Sequence, residues 1–295
     1  MEGPVDGAAI RLPGMMAGRA LDVLAGRVPA AAARDAATVM LLRPVPAAGG
    51  GSLARHADHG LEVYMLRRKS SMAFAPGAFV FPGGSVDTRD ADEEVAWTGP
   101  DVADLGAIFD APARLARALV CAAVRETFEE SGVLLAGPSA ATVVADTSGD
   151  DWEADRHALL DRSISLAEML GRRRLVLRAD LLKPWSRWIT PVVEERRFDA
   201  RFFAAALPPG QRTRDVGGEA AQVAWIRPAD AIAAGRKKEI VLWLPTAVTL
   251  GELAACGTMA AALASPRPVT PWLPEVTIRE GTPWLSVPGE QEYPL

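Results

Sequence analysis

One short stretch constrains this chain more than any other. Residues 125–133 read Arg-Glu-Thr-Phe-Glu-Glu-Ser-Gly-Val. Apolar residues recur at helical spacing before and within this stretch, and Gly132 is a suitable residue to end a helix. The pattern therefore predicts a helix that buries one side and ends at about residue 132. The apolar residues on that side are Leu115, Leu119, Val120, Val124 and Phe128.

Three glutamates share the other side of this predicted helix. At 3.6 residues per turn, Glu126, Glu129 and Glu130 fall within an arc of roughly 100°. Each like-charge pair at this spacing costs about 0.2–0.5 kcal/mol, and an anion near a helix C-terminus loses about 0.3–1 kcal/mol more. Arg125 can relieve only Glu129, at i+4. A bound divalent cation would relieve the whole cluster, and Mg²⁺ suits carboxylate oxygens. A solvated acidic face is the alternative, because the total energy is small.

A glycine pair precedes the helix. Residues 79–87 read Phe-Val-Phe-Pro-Gly-Gly-Ser-Val-Asp, an apolar strand that runs into glycines, which allow close backbone approach. The strand end, the glycines and the Arg-Glu-x-x-Glu-Glu-x-Gly helix together resemble the Nudix box, with Gly84 at its first position. Asp90 stands where that pattern has a glutamate. The spacer of 34 residues between Asp90 and Arg125 is much longer than the family's. We interpret 91–117 as an insertion, because each doubling of a surface loop costs only about 0.6 kcal/mol.

Further blocks resemble one group, the Nudix acyl-CoA diphosphatases with an interrupted box. They lie at residues 67–77, 185–191, 196–199 and 238–245. The resemblance implies an α+β fold, a Nudix-type α/β/α sandwich around a mixed β-sheet. It also implies hydrolysis of CoA or acyl-CoA to 3′,5′-ADP and (acyl-)phosphopantetheine, with Mg²⁺ or Mn²⁺ as cofactor. Two alternatives stay open: a Nudix hydrolase of ADP-ribose or another dinucleotide or oxidised nucleotide, and a catalytically silent domain that senses a nucleotide.

The resemblance also implies roles for the helix residues. Glu126, Glu129 and Glu130 would hold the metal, and the Gly84 carbonyl would complete its ligands. Arg125 would orient a glutamate rather than contact substrate.

The sequence leaves alternatives open for the general base and for the substrate contacts. Glu129 or Glu219 would take the proton from water, and the sequence does not choose between them. Trp185 and Trp188 could stack on an adenine or pack in the core. Four arginines could bind substrate phosphates, or could simply flank strands: Arg67, Arg68, Arg196 and Arg197.

Periodicity predicts the remaining elements and the domain limits. We expect an N-terminal arm at 1–35, the hydrolase domain at 36–264 and a proline-rich tail at 265–295 that packs on the domain or on a partner subunit. Strands are expected at 37–42, 61–67, 79–81, 133–135, 222–226 and 276–279, and helices at 18–25, 152–162, 166–174, 228–235 and 245–264.

Composition narrows the function classes. The 295-residue chain has a formal net charge of −5, which argues against a nucleic-acid partner bound through a basic surface. The only two cysteines, Cys121 and Cys256, suit a reducing cytoplasm rather than a disulfide framework. Apolar runs are interrupted, for example by Pro245, so we expect no membrane span. We expect a cytoplasmic enzyme with a small-molecule substrate, and a homodimer is possible.

Overall fold

The computed structural model describes residues 9–12, 14–46, 60–71, 75–92, 95–214, 220–264 and 267–286. Its helices are α1 (Gly14–Leu24), α2 (Val102–Phe109), α3 (Ala113–Ser131), α4 (Asp150–Leu160), α5 (Leu166–Arg173), α6 (Pro228–Arg236), α7 (Leu244–Cys256) and α8 (Met259–Ala264). The strands are β1 (Ala9–Arg11), β2 (Ala33–Pro44), β3 (Leu61–Arg68), β4 (Ala78–Val80), β5 (Gly83–Ser85), β6 (Trp97–Thr98), β7 (Ala136–Gly137), β8 (Val176–Arg178), β9 (Lys183–Ile189), β10 (Arg197–Ala206), β11 (Ala220–Ile226), β12 (Val241–Leu242), β13 (Pro271–Trp272), β14 (Glu275–Arg279) and β15 (Thr282–Ser286).

A mixed sheet forms the middle layer. Its strands run in the order β12-β4-β3-β2-β10-β9-β13, with β11 also paired to β3 and β5 to β2. Because side chains alternate along β2, Val39 and Leu41 pack with α3 on one face, and Met40 and Leu42 pack with α7 on the other. The two faces hold separate apolar clusters, so helices cover both sides of the sheet. This arrangement confirms the predicted α/β/α sandwich.

The helix that carries the glutamates is α3, and it ends where the sequence predicts. Gly132 follows it with φ of 74°, a left-handed conformation that glycine adopts without strain. Val120, Val124 and Phe128 are fully or almost fully buried against the sheet. The predicted apolar side of the helix is therefore confirmed.

The insertion forms a short helix and part of α3. Helix α2 lies within 91–117. However, α3 already begins at Ala113, so the last residues assigned to the insertion belong to the box helix. Phe109 at the end of α2 is fully buried, and its ring packs edge-on against Phe203 with centroids 5.3 Å apart. The insertion thus contributes to the core.

Two predicted elements are wrong in detail. Residues 133–135 are not a strand, and the strand that follows α3 is β7. The Gln211 side chain replaces a neighbouring strand there: its amide accepts from the Leu134 N–H (2.8 Å) and donates to the Leu134 carbonyl (2.9 Å). The predicted helix at 245–264 is two helices, α7 and α8, because the chain turns at Gly257 with φ of 74°.

The first and last described strands pair with each other. Strand β1 pairs antiparallel with β15, and β15 pairs with β14. Strand β13 joins the edge of the central sheet beside β9, where Trp272 stacks on Trp188 with centroids 5.2 Å apart. Strand β13 of the tail therefore packs on this chain's central sheet, and β14 and β15 form a separate sheet with β1.

The Gln211 contacts predict a stability effect. We expect Gln211→Leu to lower the free energy of unfolding by about 2–4 kcal/mol, because it leaves buried backbone groups of Leu134 and Val144 without partners. Urea denaturation followed by circular dichroism measures this. Gln222→Leu on the exposed side of β11 is the matched control and should change stability by less than about 0.5 kcal/mol. Equal effects of the two substitutions would contradict the assignment.

Candidate active site

The glycine pair lies directly against the end of α3. The Gly83 N–H donates to Glu130 Oε2 at 2.8 Å. A β-carbon at position 84 would overlap the Glu126 carboxylate, so any larger residue would have to displace that side chain. Strand β5 is held there by its pairing with β2, in which Gly84 lies opposite Ala37. The insertion therefore does not separate the two halves of the box motif.

A buried ion pair joins the same two segments. Asp90 is only 3% exposed, and its two carboxylate oxygens accept from Arg125 Nε (3.0 Å) and Nη2 (2.9 Å). Arg125 also donates to the Ser85 carbonyl at 3.0 Å and to Glu126 Oε1 at 2.7 Å. Burial alone would lower the pKa of Arg125, but the hydrogen bond to Asp90 and the surrounding carboxylates raise it well above its usual value. Arg125 is thus a fixed positive charge at the centre of the site.

Glu129 has a strongly perturbed carboxyl. It is 7% exposed, and burial raises its pKa to about 7, with a further contribution from the charge of Glu126. Arg125 offsets this only in part, because its Nη1 is 3.4 Å from both oxygens of Glu129. The site therefore has a carboxyl that favours additional positive charge.

The carboxylates form an open row rather than a closed cage. In the described part of the chain, no group of three or more His, Cys, Asp or Glu side chains converges closely enough to hold a metal ion by itself. Mg²⁺ commonly binds through one or two carboxylates, waters and substrate phosphates, and Mn²⁺ accepts the same oxygen ligands. The all-oxygen donors and the buried Glu129 fit a metal that is completed by water and substrate.

Sequence reasoning missed a buried arginine behind this row. Arg156 on α4 is 1% exposed and donates from Nη1 to the Glu129 carbonyl at 3.0 Å. A signal was available: Trp152, Arg156 and Leu159 recur at helical spacing, which puts a charge in an apolar stripe. Such a charge is buried only when it is paired.

Arg67 and Arg68 lie on opposite faces of the sheet. They are adjacent on β3, where Leu66 packs in the α3 cluster and Met65 in the α7 cluster. Alternation along the strand therefore puts Arg68 on the face of the glutamate helix and Arg67 on the other. Arg68 also pairs in register with Ala220, the first described residue after 215–219.

The contacts of Arg197 favour the strand-flanking alternative. Arg197 donates to the Thr190 carbonyl (3.0 Å) and the Ala31 carbonyl (2.7 Å), which ties the start of β10 to the chain before β2. Its neighbour Arg196 is exposed. The structure thus gives Arg197 a structural role and does not bring it to the carboxylates.

Both tryptophans of β9 pack inside the protein. Trp185 is 2% exposed, donates to Glu252 at 2.6 Å and lies under the Arg267 guanidinium. Trp188 is also buried and stacks on Trp272. Core packing, the second of the two expected roles, is the one the structure shows.

Glu219 lies outside the described residues. The described residue on the N-terminal side of 215–219 is Arg214, whose N–H donates to the Ser131 carbonyl at the end of α3 (3.0 Å). The one on the C-terminal side is Ala220, opposite Arg68.

Comparison with known proteins gives a family. A family model described as the NUDT19 Nudix domain matches residues 103–253, which include all of the glutamates of α3. The chain belongs to this Nudix family. The match begins after the glycine pair, so the placement of Gly83 and Gly84 at the Nudix helix is a finding of the structure.

Curated relatives agree with the family. The acyl-coenzyme A diphosphatase NUDT19 of Gallus gallus is 29% identical over 311 residues, covering 88% of this chain and 80% of the relative. The Xenopus laevis protein of the same name is 27% identical, over 62% of this chain and 57% of its own length. The Homo sapiens protein of the same name is 30% identical, over 63% of this chain and 58% of its own length. This chain therefore spans a little over half the length of two of these relatives.

A solved structure supports the Nudix fold. The crystal structure of a Nudix hydrolase from Alicyclobacillus acidocaldarius superposes with a TM-score of 0.63 at 25% identity, over 81% of this chain and 99% of that one. The predicted Nudix-type fold is thereby confirmed. None of the helices in the described ranges has the length and apolar character needed to cross a bilayer.

The described residues also form a cleft away from the Nudix helix end. It has a volume of about 410 Å³ and lies between α2 and the start of α3. Ala113 in its wall precedes Glu126 by thirteen residues of helix, or about 20 Å. Its walls are small apolar residues and Asp110, which do not suit a diphosphate.

The raised pKa of Glu129 predicts a pH-dependent stability. Because the folded protein holds this proton more tightly than the unfolded chain, metal-free protein should lose about 3 kcal/mol of stability as the pH rises from about 4.5 through 7. Glu129→Gln should remove this loss, and added Mg²⁺ should reduce it in the wild type. Urea denaturation in EDTA at pH 5, 6, 7 and 8 measures it. Parallel pH profiles for wild type and Glu129→Gln would contradict the assignment.

Proposed function

We propose that this protein is a metal-dependent Nudix diphosphatase that hydrolyses CoA or acyl-CoA to 3′,5′-ADP and (acyl-)phosphopantetheine. The observation that carries the proposal is the meeting of Glu126 and Glu130 with the backbone of Gly83 and Gly84. The names of the relatives support CoA as the substrate, since three of them are acyl-coenzyme A diphosphatases.

The proposed mechanism divides the work among the helix residues. Glu126 and Glu130 would hold the metal, together with Glu129 and the Gly84 carbonyl, with water and substrate completing its ligands. Bound Mg²⁺ or Mn²⁺ would supply Lewis-acid polarisation of the phosphoryl oxygens and a lowered pKa for the attacking water. Arg125 keeps Glu126 in place through its 2.7 Å contact, and Asp90 in turn fixes Arg125.

Glu129 is the better supported of the two candidate bases. Its carboxyl lies in the same helix turn as Glu126 and Glu130, and burial raises its pKa in the metal-free protein to about 7, so it binds a proton more readily than an ordinary glutamate. Glu219 remains the other candidate. The three helix glutamates and their fixed arginine argue for an active enzyme rather than a silent nucleotide sensor.

Side-by-side hydrolysis assays test the proposal. Purified protein should hydrolyse acyl-CoA or CoA faster than ADP-ribose or NADH in the presence of Mg²⁺ or Mn²⁺, and EDTA should abolish the activity. Chromatography with mass spectrometry should identify 3′,5′-ADP as the product. AMP from ADP-ribose as the main product would favour the dinucleotide hydrolase, and intact substrates throughout would favour the silent domain.

Glu130→Gln is the inactive control for these assays. It should cut turnover by about two orders of magnitude or more, because it removes a metal ligand, while the stability of the protein stays level or rises as one like charge is lost. Glu239→Gln, which removes a carboxylate outside α3, is the matched variant and should retain wild-type turnover. A folded Glu130→Gln protein with normal turnover would contradict the metal assignment.

The sheet faces predict different effects for the two neighbouring arginines. Arg68→Met should raise KM at least about tenfold, because Arg68 lies on the face of the glutamate helix and is proposed to contact substrate phosphates. Arg67→Met, on the opposite face, is the matched control and should change KM less than about twofold. Steady-state kinetics with the preferred substrate measures both, and a larger effect at Arg67 would reverse the assignment.

A further inference from the structure

The C-terminal end of α3 requires positive partners. The last carbonyls of a helix have no partner within the helix, and its dipole is negative at this end. The site adds carboxylates to the same turn. The Arg156 guanidinium meets this need by donating to the Glu129 carbonyl, and the backbone N–H of Arg214 donates to the Ser131 carbonyl, each at 3.0 Å.

One carboxylate connects these two arginines. Both carboxylate oxygens of Glu153 accept hydrogen bonds from Arg156. Nε donates to Oε2 at 3.0 Å, and Nη2 donates to Oε1. Glu153 Oε2 is also 3.2 Å from Arg214 Nη1. The Arg214 side chain crosses Gly132, where a β-carbon would be only 2.8 Å from Nε. We call Arg156, Glu153 and Arg214 the arginine clamp.

We propose that Arg156, supported by Glu153 and Arg214, is a positioning residue for the metal-binding carboxylates of α3. Arg156 contacts the backbone of Glu129 rather than its side chain. Because Glu126, Glu129 and Glu130 share one turn of the helix, a rotation or fraying of that turn moves all three away from the glycine pair together. A displacement of about 1 Å is enough to lower a rate by about 100-fold.

The clamp and the Arg125–Asp90 pair contact this turn through different groups. Arg125, which also bonds the Ser85 carbonyl beside the glycine pair, donates to the Glu126 carboxylate, whereas Arg156 on α4 donates to the helix backbone. Two separate segments therefore hold the turn. The inference rests on the proposed function for its kinetic part, but binding of Mn²⁺ tests it without any catalytic reaction.

The test compares Arg156→Met with Arg156→Lys. Binding of Mn²⁺ to substrate-free protein, followed by electron paramagnetic resonance of the free ion, should weaken about tenfold or more in Arg156→Met. Its kcat should fall by about 100-fold, with KM within about twofold of wild type, because substrate contacts lie elsewhere. Arg156→Lys keeps the charge and a donor and should recover part of both losses.

Arg173→Met is the matched control for loss of a half-buried arginine that also contacts α4. Arg173, at the end of α5, stacks on Trp152 of α4, and its described ion pairs are with Asp151 and Asp155 of the same helix α4. It should lower the melting temperature without changing Mn²⁺ affinity or kcat by more than about twofold. If Arg156→Met does not fold, Glu153→Gln replaces it, with an expected loss of about three- to fivefold in Mn²⁺ affinity.

The outcomes separate the clamp from the proposed function. Wild-type Mn²⁺ affinity and kcat in folded Arg156→Met, or in Glu153→Gln if it is the variant used, would overturn the clamp. A wild-type protein that binds Mn²⁺ but leaves every diphosphate intact would overturn the proposed function, and the Mn²⁺ comparison would still decide the clamp. If wild-type protein binds Mn²⁺ only once substrate is added, the kcat comparison decides the clamp. Wild-type protein that binds no Mn²⁺ with or without substrate, and needs no metal for hydrolysis, would overturn the clamp and the metal assignment together.

Discussion

The concentration of negative charge in the last turn of α3 is the constraint on which the rest of the site depends. Three carboxylates lie at the end of a helix where the dipole already disfavours anions. The protein stabilises this turn with groups from several segments: Arg125 paired with Asp90, the Gly83 N–H, and Arg156 on the Glu129 carbonyl. Even so, Glu129 keeps a raised pKa, so the turn remains suited to a bound cation.

The interrupted motif works because tertiary contacts rejoin it. Asp90 comes before the insertion and Arg125 after it, and their buried bidentate pair connects the two halves. Phe109 of the insertion is fully buried, so the insertion packs into the core of the domain. An aspartate suffices in place of the family's glutamate here, because the turn that carries Asp90 brings it directly onto the arginine.

In the proposed function, phosphate chemistry and substrate recognition belong to different parts of this Nudix domain. The carboxylates belong to one helix end that contacts from two other segments hold in place. Arg68, by contrast, lies at the end of β3, beside the first residues of β11. Such a division lets the metal-binding turn stay rigid while strand ends and connecting segments distinguish one nucleoside diphosphate from another.

The sequence by itself determined the local features: the apolar side of α3, its end at Gly132, the row of glutamates and the glycine pair. These depend on helical period and on glycine's conformational freedom, which act within a few residues. Tertiary structure decided which arginine serves which purpose. Arg197 bonds the start of β10 to neighbouring backbone, and Arg68 and Arg67 lie on opposite faces of the sheet. Arg156, on α4, bonds the backbone of α3. Gln211 replaces an expected strand in the same way. Those roles depend on partners far away in the chain, and no local pattern specifies them.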